Sequence, residues 1–161
     1  MQVVAFAPSF RAILDETGGV KAEGFPMTSA HVSSFPAQIT LPVVLAAYTQ
    51  GGTDYDPRRY IVVRSPKGER VGTLECAWHW PDNPGSPVKF WVLTGHIPLT
   101  VQSPGVYTVG LYDSPDATET DHLFPLPVMK VNPFATPPHQ SRTVTRLTMT
   151  SSPRPDYWPR R

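Results

Sequence analysis

The sequence predicts an all-β fold, an antiparallel sandwich of eight or nine short strands followed by an extended C-terminal arm. Three observations favour it. Proline accounts for 20 of the 161 residues, and each proline inside a helix costs about 3 kcal/mol. Short runs of β-branched and aromatic residues recur about every ten residues between turn residues. No stretch of ten or more residues between these runs repeats its apolar residues with the 3.6-residue period of a helix.

The first half of the chain contains five of these runs. The turn at Thr17-Gly18-Gly19 separates the second from the third. Pro42 lies inside the fifth, and because proline has no N–H to donate, it favours a strand edge or a bulge there. The runs of this half are 2–6, 10–14, 20–25, 28–33 and 39–48.

The second half continues the same pattern. Ser65-Pro66-Lys67-Gly68 is typical of a β-turn, with proline pre-set for its second position. Pro81-Asp82-Asn83-Pro84-Gly85 ends the next apolar run, and Pro104-Gly105 opens a later one. The runs of this half are 60–64, 70–80, 88–99, 105–112 and 122–131.

Alternation along these strands predicts which side chains enter the core, because successive side chains of a strand point to opposite faces. In 70–80 the apolar side chains are expected to point into the core. Glu75, Ala77 and His79 lie on the opposite face of this strand. A buried Trp78 needs an acceptor for its indole N–H. The residues expected in the core are Leu74, Cys76, Trp78, Val109, Leu111, Ile61 and Val63.

Four stretches of residues 2–131 resemble a small, uncharacterised bacterial family of immunoglobulin-like β-sandwich proteins, a domain of unknown function. The resemblance implies an immunoglobulin-like fold. It implies no activity, so no functional residue is carried over from the family. After an early strand that ends in a Gly-Gly turn, the stretches are Val20-Lys21-Ala22-Glu23-Gly24-Phe25, Val43-Val44-Leu45, Tyr60-Ile61-Val62-Val63-Arg64-Ser65-Pro66-Lys67-Gly68-Glu69 and Pro104-Gly105-Val106-Tyr107-Thr108-Val109-Gly110-Leu111-Tyr112.

Composition and charge divide the chain into a β-sandwich domain, 1–133, and a C-terminal arm, 134–161. The arm is rich in proline, serine and threonine. It contains five arginines and one aspartate, which gives a net charge of +4. The domain carries nine basic and twelve acidic residues, for a net charge of −3. Such an asymmetry is typical of an interaction segment.

The arm is expected to dock on a neighbouring subunit or another protein. Residues 141–149 alternate and have high β propensity, so they suit addition to the sheet edge of a partner. The last eight residues place two aromatic anchors on a stiff proline frame. A disordered tail is the alternative that this composition allows. The predicted partner-binding residues are Val144, Leu147, Met149, Tyr157, Trp158, Arg160 and Arg161.

Trp80, Phe90 and Trp91 form a second candidate site. If the core cannot hold them, they make an exposed aromatic patch suited to a sugar, a peptide or a protein. The alternative is ordinary packing in the core or at an edge, across two neighbouring strands.

Catalytic and metal chemistry find little support in the sequence, which predicts no catalytic residue, no metal site and no cofactor. The five histidines lack the spacings of metal motifs. The single cysteine, Cys76, lies in an apolar strand with no neighbouring base to lower its pKa. Four acidic residues at 113–121 offer oxygen ligands for calcium but lack the EF-hand pattern.

These observations favour a non-enzymatic interaction module that belongs to an oligomer or a larger assembly such as a phage virion. One alternative is a ligand-binding or hydrolytic protein that uses Trp80, Trp91, His79 and His96. Another is weak nucleic-acid binding by the arginines of the arm. The start of the sequence lacks the pattern of a signal peptide, and no apolar run approaches 18 residues. We therefore expect a cytoplasmic location or an assembled particle, without a membrane partner.

Overall fold

The computed structural model describes residues 1–53 and 55–132 and shows an all-β fold, as predicted. Asp54 and residues 133–161 lie outside the described residues. The compact unit spans Met1–Val131. Its strands are β1 (Gln2–Pro8), β2 (Arg11–Leu14), β3 (Val20–Glu23), β4 (Ala30–Val32), β5 (Ala37–Gln50), β6 (Arg58–Arg64), β7 (Arg70–Ala77), β8 (Val88–Val101), β9 (Gly105–Tyr112) and β10 (Leu123–Lys130).

The described part of the chain therefore contains ten strands, where eight or nine were predicted. Each apolar run marked by the sequence contains a strand. The strands β2, β3 and β4 are the shortest, with three or four residues each. Because strands so short carry few alternating positions, their pattern barely separates them from loops.

The first sheet has three antiparallel strands in the order β1-β5-β8. β5 and β8 are 14 residues long and pair along their whole length, from Ala37↔Val101 to Gln50↔Val88. Pro42 thus lies in the central strand, and the prediction of an edge or a bulge at Pro42 was wrong. Its carbonyl accepts from the Ser9 N–H at 2.9 Å, so residue 42 faces the side of β1. β1 ends at Pro8, so the regular ladder does not extend to Pro42. Proline therefore costs no ladder hydrogen bond at this position, although it has no N–H.

The second sheet has five strands in the order β4-β10-β9-β6-β7. Its pairs are antiparallel except at one edge, where β4 runs parallel to β10 from Ala30↔Val128 to Val32↔Lys130. The prediction of a purely antiparallel sandwich fails at this edge. β4 reaches the sheet as a separate segment far from β10 in sequence, and only such a long connection can join parallel strands.

The core lies between the two sheets and has the composition that alternation predicted. The face of β7 and the loop after it that carries Cys76, Trp78 and Trp80 points inward, and Leu74 is partly buried against the same cluster. Ile61, Val63, Val109 and Leu111 are buried with them. The expected acceptor for Trp78 is missing, because neither its indole N–H nor that of Trp80 has a hydrogen-bond partner among the described residues.

One long side of the sandwich is closed by β7 and β8. A Cβ added at Gly95 of β8 would lie 2.4 Å from the Leu74 Cδ2, and one at Gly72 of β7 would lie 2.9 Å from the Ile97 Cγ2. The two strands approach so closely only because these positions carry no side chain. Within the described residues, the opposite long side, between β1 and β10, has no such close approach.

A third, two-stranded sheet is the β2–β3 hairpin, which packs on the outer face of the first sheet through Ala12. Its turn is held by Asp15, whose Oδ1 accepts from the Thr17 Oγ1 at 2.6 Å, the Thr17 N–H at 2.9 Å and the Gly19 N–H at 3.0 Å. These hydrogen bonds, led by that of the Thr17 side chain, hold the pKa of Asp15 below its usual value.

Candidate interaction surfaces

The open long side of the sandwich holds a shallow cleft, which we call the seam. It is formed by Val3–Phe6 of β1 and by Asp121–Leu123 at the start of β10, around a cavity of about 210 Å³. Val4 and Leu123 expose 59% and 54% of their surface there. The seam therefore combines apolar side chains with one carboxylate and one histidine.

The seam continues into a cavity of about 380 Å³ at the end of the sandwich, which shares Asp121 and His122 with it. Arg59 and Asp113 line this cavity and neutralise each other, with 2.9 Å between the Arg59 Nη1 and the Asp113 Oδ1. Glu119 and Asp121 make no salt bridge within the described residues. Three carboxylates and one arginine therefore line the cavity, together with Met1.

A short hydrogen-bonded loop fixes these acidic residues. The Thr120 Oγ1 donates to the Leu111 carbonyl, and the His122 N–H donates to the Thr120 Oγ1 at 3.2 Å. The Leu111 N–H in turn donates to the His122 carbonyl at 3.0 Å. Thr120 thus ties the segment before β10 to β9 and holds Asp121 at the mouth of the seam.

Two prolines limit hydrogen bonding at the seam on the side of β10. The Val131 N–H donates to Val32 at 2.8 Å, so the amides of odd-numbered residues in β10 point toward β4 and away from β9. β4 covers only Val128–Lys130. Pro125 and Pro127 therefore remove two of the three outward donors from the uncovered stretch and leave that of Leu123, which is a usual partial protection of a sheet edge.

β1 is the other edge of the seam, and none of the strands in residues 1–53 and 55–132 pairs with its outer side. The Ser9 N–H faces β5, so by alternation the amide and carbonyl of Phe6 point outward. At Pro8 the outward carbonyl accepts from the Met27 N–H at 2.8 Å. The register shifts between Val3 and Ala5, which leaves Val4 at a bulge. The uncovered edge is therefore the first half of β1.

A second apolar surface, the hairpin patch, surrounds the β2–β3 hairpin. Phe10 exposes 73% of its surface, and Ile13, Leu14 and Phe25 are also exposed. The Phe10 N–H donates to the Glu23 carbonyl at 3.0 Å, which holds the side chain at the base of the hairpin. Ile13 and Leu14 are neighbours in β2 and point to opposite faces of the hairpin. Large apolar side chains that remain exposed on one short element are candidates for contact with another protein.

The aromatic patch predicted from Trp80, Phe90 and Trp91 does not form. Trp80 is 1% exposed in the core, where its ring lies 5.6 Å from that of Trp78 in an edge-on arrangement. Trp91 stacks on the other side of Trp78 at 4.1 Å. Phe90 points outward, 55% exposed, with its ring 5.5 Å from that of Tyr48. Phe90 and Trp91 are neighbours in β8 and therefore point to opposite faces of the sheet. Trp80 and Trp91 pack in the core, which was the alternative to an exposed patch.

The residues named for a ligand-binding or hydrolytic site do not converge either. His79 is exposed and lies 2.6 Å from Asp56, measured between Nδ1 and Oδ1. His96 is exposed on the outer face of the first sheet, opposite Pro42. Trp80 and Trp91 point into the interior between the sheets.

The cysteine and the acidic loop carry no reactive arrangement in the described part of the chain. Burial, and then the charge of Glu75, raises the pKa of Cys76 to about 11. Asp113 pairs with Arg59, and Asp116 pairs with Arg70 at 3.0 Å. Across residues 1–53 and 55–132, no three His, Cys, Asp or Glu side chains group as metal ligands.

The seam and the hairpin patch were missed by the sequence reasoning. The signal for the seam is the Pro125/Pro127 alternation, which marks an edge only once the neighbours of β10 are known. For the hairpin patch the signal is weaker, because Phe10 and Leu14 look like any inward-facing pair of a strand. The predicted partner-binding residues of the arm lie outside the described residues: Val144, Leu147, Met149, Tyr157, Trp158, Arg160 and Arg161.

Across the described residues, the structure contains no helix with the length and apolarity needed to span a bilayer. Compared with models of protein families, with curated proteins and with solved structures, the chain gives no match.

Proposed function

We propose that this protein is a non-enzymatic interaction module, a structural or accessory subunit whose C-terminal arm docks on a neighbour in a larger assembly. The observation that carries the proposal is the hairpin patch, whose Phe10 side chain is 73% exposed although the chain buries a large apolar core elsewhere. Large apolar side chains are exposed at a cost in solvation, which is recovered when a partner covers them.

The charge distribution supports the same function. The arm carries a net +4 and the domain a net −3, so the arm of one molecule is attracted to the body of another. Glu119 and Asp121 give this attraction a local target, because they are free of salt bridges in the described region. Electrostatic complementarity of this kind sets the rate and the specificity of association more than its strength.

Light scattering after size-exclusion chromatography tests the proposal, with the full chain compared with a 1–133 truncation. We expect the full chain to form a defined oligomer and the truncation to be a folded monomer. Circular dichroism and thermal unfolding of the truncation show whether its fold is retained. Unchanged assembly after truncation would contradict the role of the arm, and two monomers would contradict self-assembly.

We also propose that the sandwich is immunoglobulin-like. The order β1-β5-β8 corresponds to strands A, B and E of that fold, and β10-β9-β6-β7 corresponds to G, F, C and C′. The Tyr107 hydroxyl donates to the Ser103 carbonyl at 3.1 Å and accepts from the Gln102 N–H at 3.2 Å. This contact resembles the tyrosine corner found near the start of strand F. An experimental structure whose strand order differs would overturn this assignment.

A further inference from the structure

We propose that the outer face of the first sheet binds an uncharged saccharide, which lies across the strands on the side chains of Tyr48 and Phe90. The site uses neither the arm nor the exposed side chains of the hairpin patch, so it goes beyond the proposed function. Three features carry it: the absence of charge on this face, a row of aromatic and amide side chains, and the small size of the uncovered area.

Among the described residues, the outer face of the first sheet carries no Asp, Glu, Lys or Arg on its two long strands. Val43 and Leu45 point into the core, so the even-numbered residues of β5, and those of β8 that pair with them, point outward. These outward residues are Gln38, Thr40, Pro42, Val44, Ala46, Tyr48, Gln50, Val88, Phe90, Val92, Thr94, His96, Pro98 and Thr100. The outer face of the second sheet instead carries an ion pair, with 3.3 Å between the Arg58 Nε and the Glu75 Oε1. Because phosphate-bearing ligands are held by Lys and Arg, the charge of this face favours an uncharged ligand.

The second feature is a row of three side chains that crosses the face. Gln2, Tyr48 and Phe90 are direct neighbours in the register of β1, β5 and β8. The Tyr48 hydroxyl donates to the Gln2 Oε1, and the Tyr48 ring lies 5.5 Å from the Phe90 ring at an angle of 38°. Phe90 is 55% exposed. The row therefore sets two aromatic rings beside an amide whose nitrogen is left to donate to a ligand, all within about 10 Å.

A row of small side chains lies beside the aromatic row. Ala5, Ala46 and Val92 are paired across the three strands. One row further on, Ala7 and Val44 are buried outside the core, where the hairpin lies on the sheet. The rows are about 7 Å apart. The small side chains therefore form the floor of a trough that runs across the strands, between the aromatic row and the hairpin.

The third feature is the size of this uncovered area, which favours a small ligand over a protein. From the small row to the end of the sheet, the area measures about 15 Å along the strands and about 15 Å across them. A stable protein interface buries about 800 Å² on each partner, which is several times more. A peptide is also disfavoured, because the backbone groups of β5 are here engaged with β1 and β8 and offer it no partners.

An uncharged saccharide meets these conditions. Its ring carries C–H groups on its faces, and these are attracted to the negative face of an aromatic ring. The hydroxyl groups at its edge bond to amides and hydroxyls, which Gln2, Gln50 and Tyr48 supply. Its other hydroxyl groups remain in water, so a shallow trough is sufficient.

A nuclear magnetic resonance titration of the full chain tests the proposal. The probes are hexasaccharides of β-1,4-glucan, β-1,3-glucan, α-1,4-glucan and β-1,4-mannan. We expect at least one of them to shift the amide resonances of residues 46–50 and 88–92, with an affinity that does not change with sodium chloride. If no probe shifts these resonances at millimolar concentration, the proposal is overturned.

Variants of Phe90 separate aromatic stacking from general apolar contact. Phe90→Leu keeps an apolar side chain but removes the ring, so the affinity should fall at least tenfold, whereas Phe90→Trp should retain binding. Tyr55→Leu is the matched control, because Tyr55 is an exposed aromatic residue outside this face, and it should bind like the wild-type chain. Circular dichroism checks that each variant is folded. Equal binding by Phe90→Leu and the wild-type chain would overturn the proposal.

The concentration of the protein distinguishes a saccharide site from an interface. If the resonances of residues 46–50 and 88–92 shift as the protein concentration rises and no saccharide shifts them, the face joins two copies of the chain and the proposal is wrong. Saccharide binding by a chain that stays monomeric would contradict the proposed assembly and leave this site standing. Assembly without saccharide binding would do the reverse.

Discussion

Tyr107 links the start of β9 to the bend that precedes it. Its side chain is 1% exposed, and its hydroxyl serves both the Gln102 N–H and the Ser103 carbonyl. Removal of this hydroxyl leaves a donor and an acceptor without their partner, which costs more than the hydrogen bonds themselves contribute.

We therefore predict that Tyr107→Phe lowers the free energy of unfolding by about 1–3 kcal/mol without changing the fold. Urea denaturation followed by tryptophan fluorescence measures the difference, with an unchanged m-value as the sign that only stability has changed. Tyr55→Phe is a suitable control, because Tyr55 is exposed. A loss as small as that of the control would contradict the importance of the contact.

The burial of Cys76 predicts how fast its thiol reacts with reagents in solution. Burial raises its pKa to about 11, so at pH 8 only about one thiol in a thousand is ionised, against about one in four in the unfolded chain. We expect the native protein to react with a thiol reagent at least a hundredfold more slowly than the protein in urea. The chain has one cysteine, so the signal is unambiguous, and rapid labelling of the native state would contradict this burial.

The same pKa shift fixes how stability depends on pH at the alkaline end. The folded state holds the neutral thiol, so the contribution of Cys76 to stability is complete below the unfolded pKa of about 8.5. It decreases as the pH rises from there toward 11, because only the unfolded chain releases the proton in that range.

At the scale of single residues, alternation predicted well which side chains enter the core and poorly which polar atoms are satisfied. It placed Cys76 and Trp78 inside, because a strand has only two faces. It did not reveal that the indole N–H of Trp78 lacks an acceptor, since that depends on atoms from other strands. For the same reason it left Trp80 open between core and surface.

The turn of the β2–β3 hairpin is expected to depend on pH. Its turn depends on the ionised carboxylate of Asp15, which accepts three hydrogen bonds. The pKa of Asp15 is lowered in the folded state. The contribution of the turn is therefore complete above the unfolded pKa of about 3.9 and is lost as the pH falls through the folded value.

We predict that the amide resonances of Thr17 and Gly19 shift together in an acid titration, with a midpoint below 3.9, the usual pKa of an aspartate. Nuclear magnetic resonance from pH 6 to pH 2 measures this midpoint. Asp15→Asn should abolish the transition, whereas Glu16→Gln should leave it in place. A midpoint at or above the usual aspartate value would contradict the hydrogen bonds of the turn.

At the scale of the elements, the sequence placed every strand but not its neighbours. Turn residues and β-branched runs are local signals, and they located even the short strand β4. Pairing partners are set by the whole arrangement, so the parallel pair of β4 with β10 and the central place of Pro42 could not be read locally. The seam was missed for this reason, because an edge strand is defined by the strand that is absent beside it.

The whole molecule combines an acidic body and a basic arm with apolar surfaces at the hairpin and the seam. The charges attract over a distance, and salt reduces this attraction because the Debye length falls from about 10 Å at 0.1 M to about 3 Å at 1 M. The apolar surfaces respond in the opposite way to salts such as sulfate, which strengthen the burial of apolar groups. If the protein self-associates as proposed, the two contributions can therefore be separated by the choice of salt.

We predict that sodium chloride weakens self-association. The association constant should fall more steeply with salt in the wild-type chain than in a variant that combines Phe10→Ser with replacement of the arm arginines by glutamine. The reason is that only the wild-type arm retains the charges that are attracted to Glu119 and Asp121. Light scattering at 0.05 M and 0.5 M salt measures the effect at equal protein concentration. Phe10→Ser alone should weaken association equally at both salt concentrations, because it removes apolar surface and no charge. If association of the wild-type chain instead grew stronger with sodium chloride, the hairpin patch rather than the arm would be the main contact in the assembly.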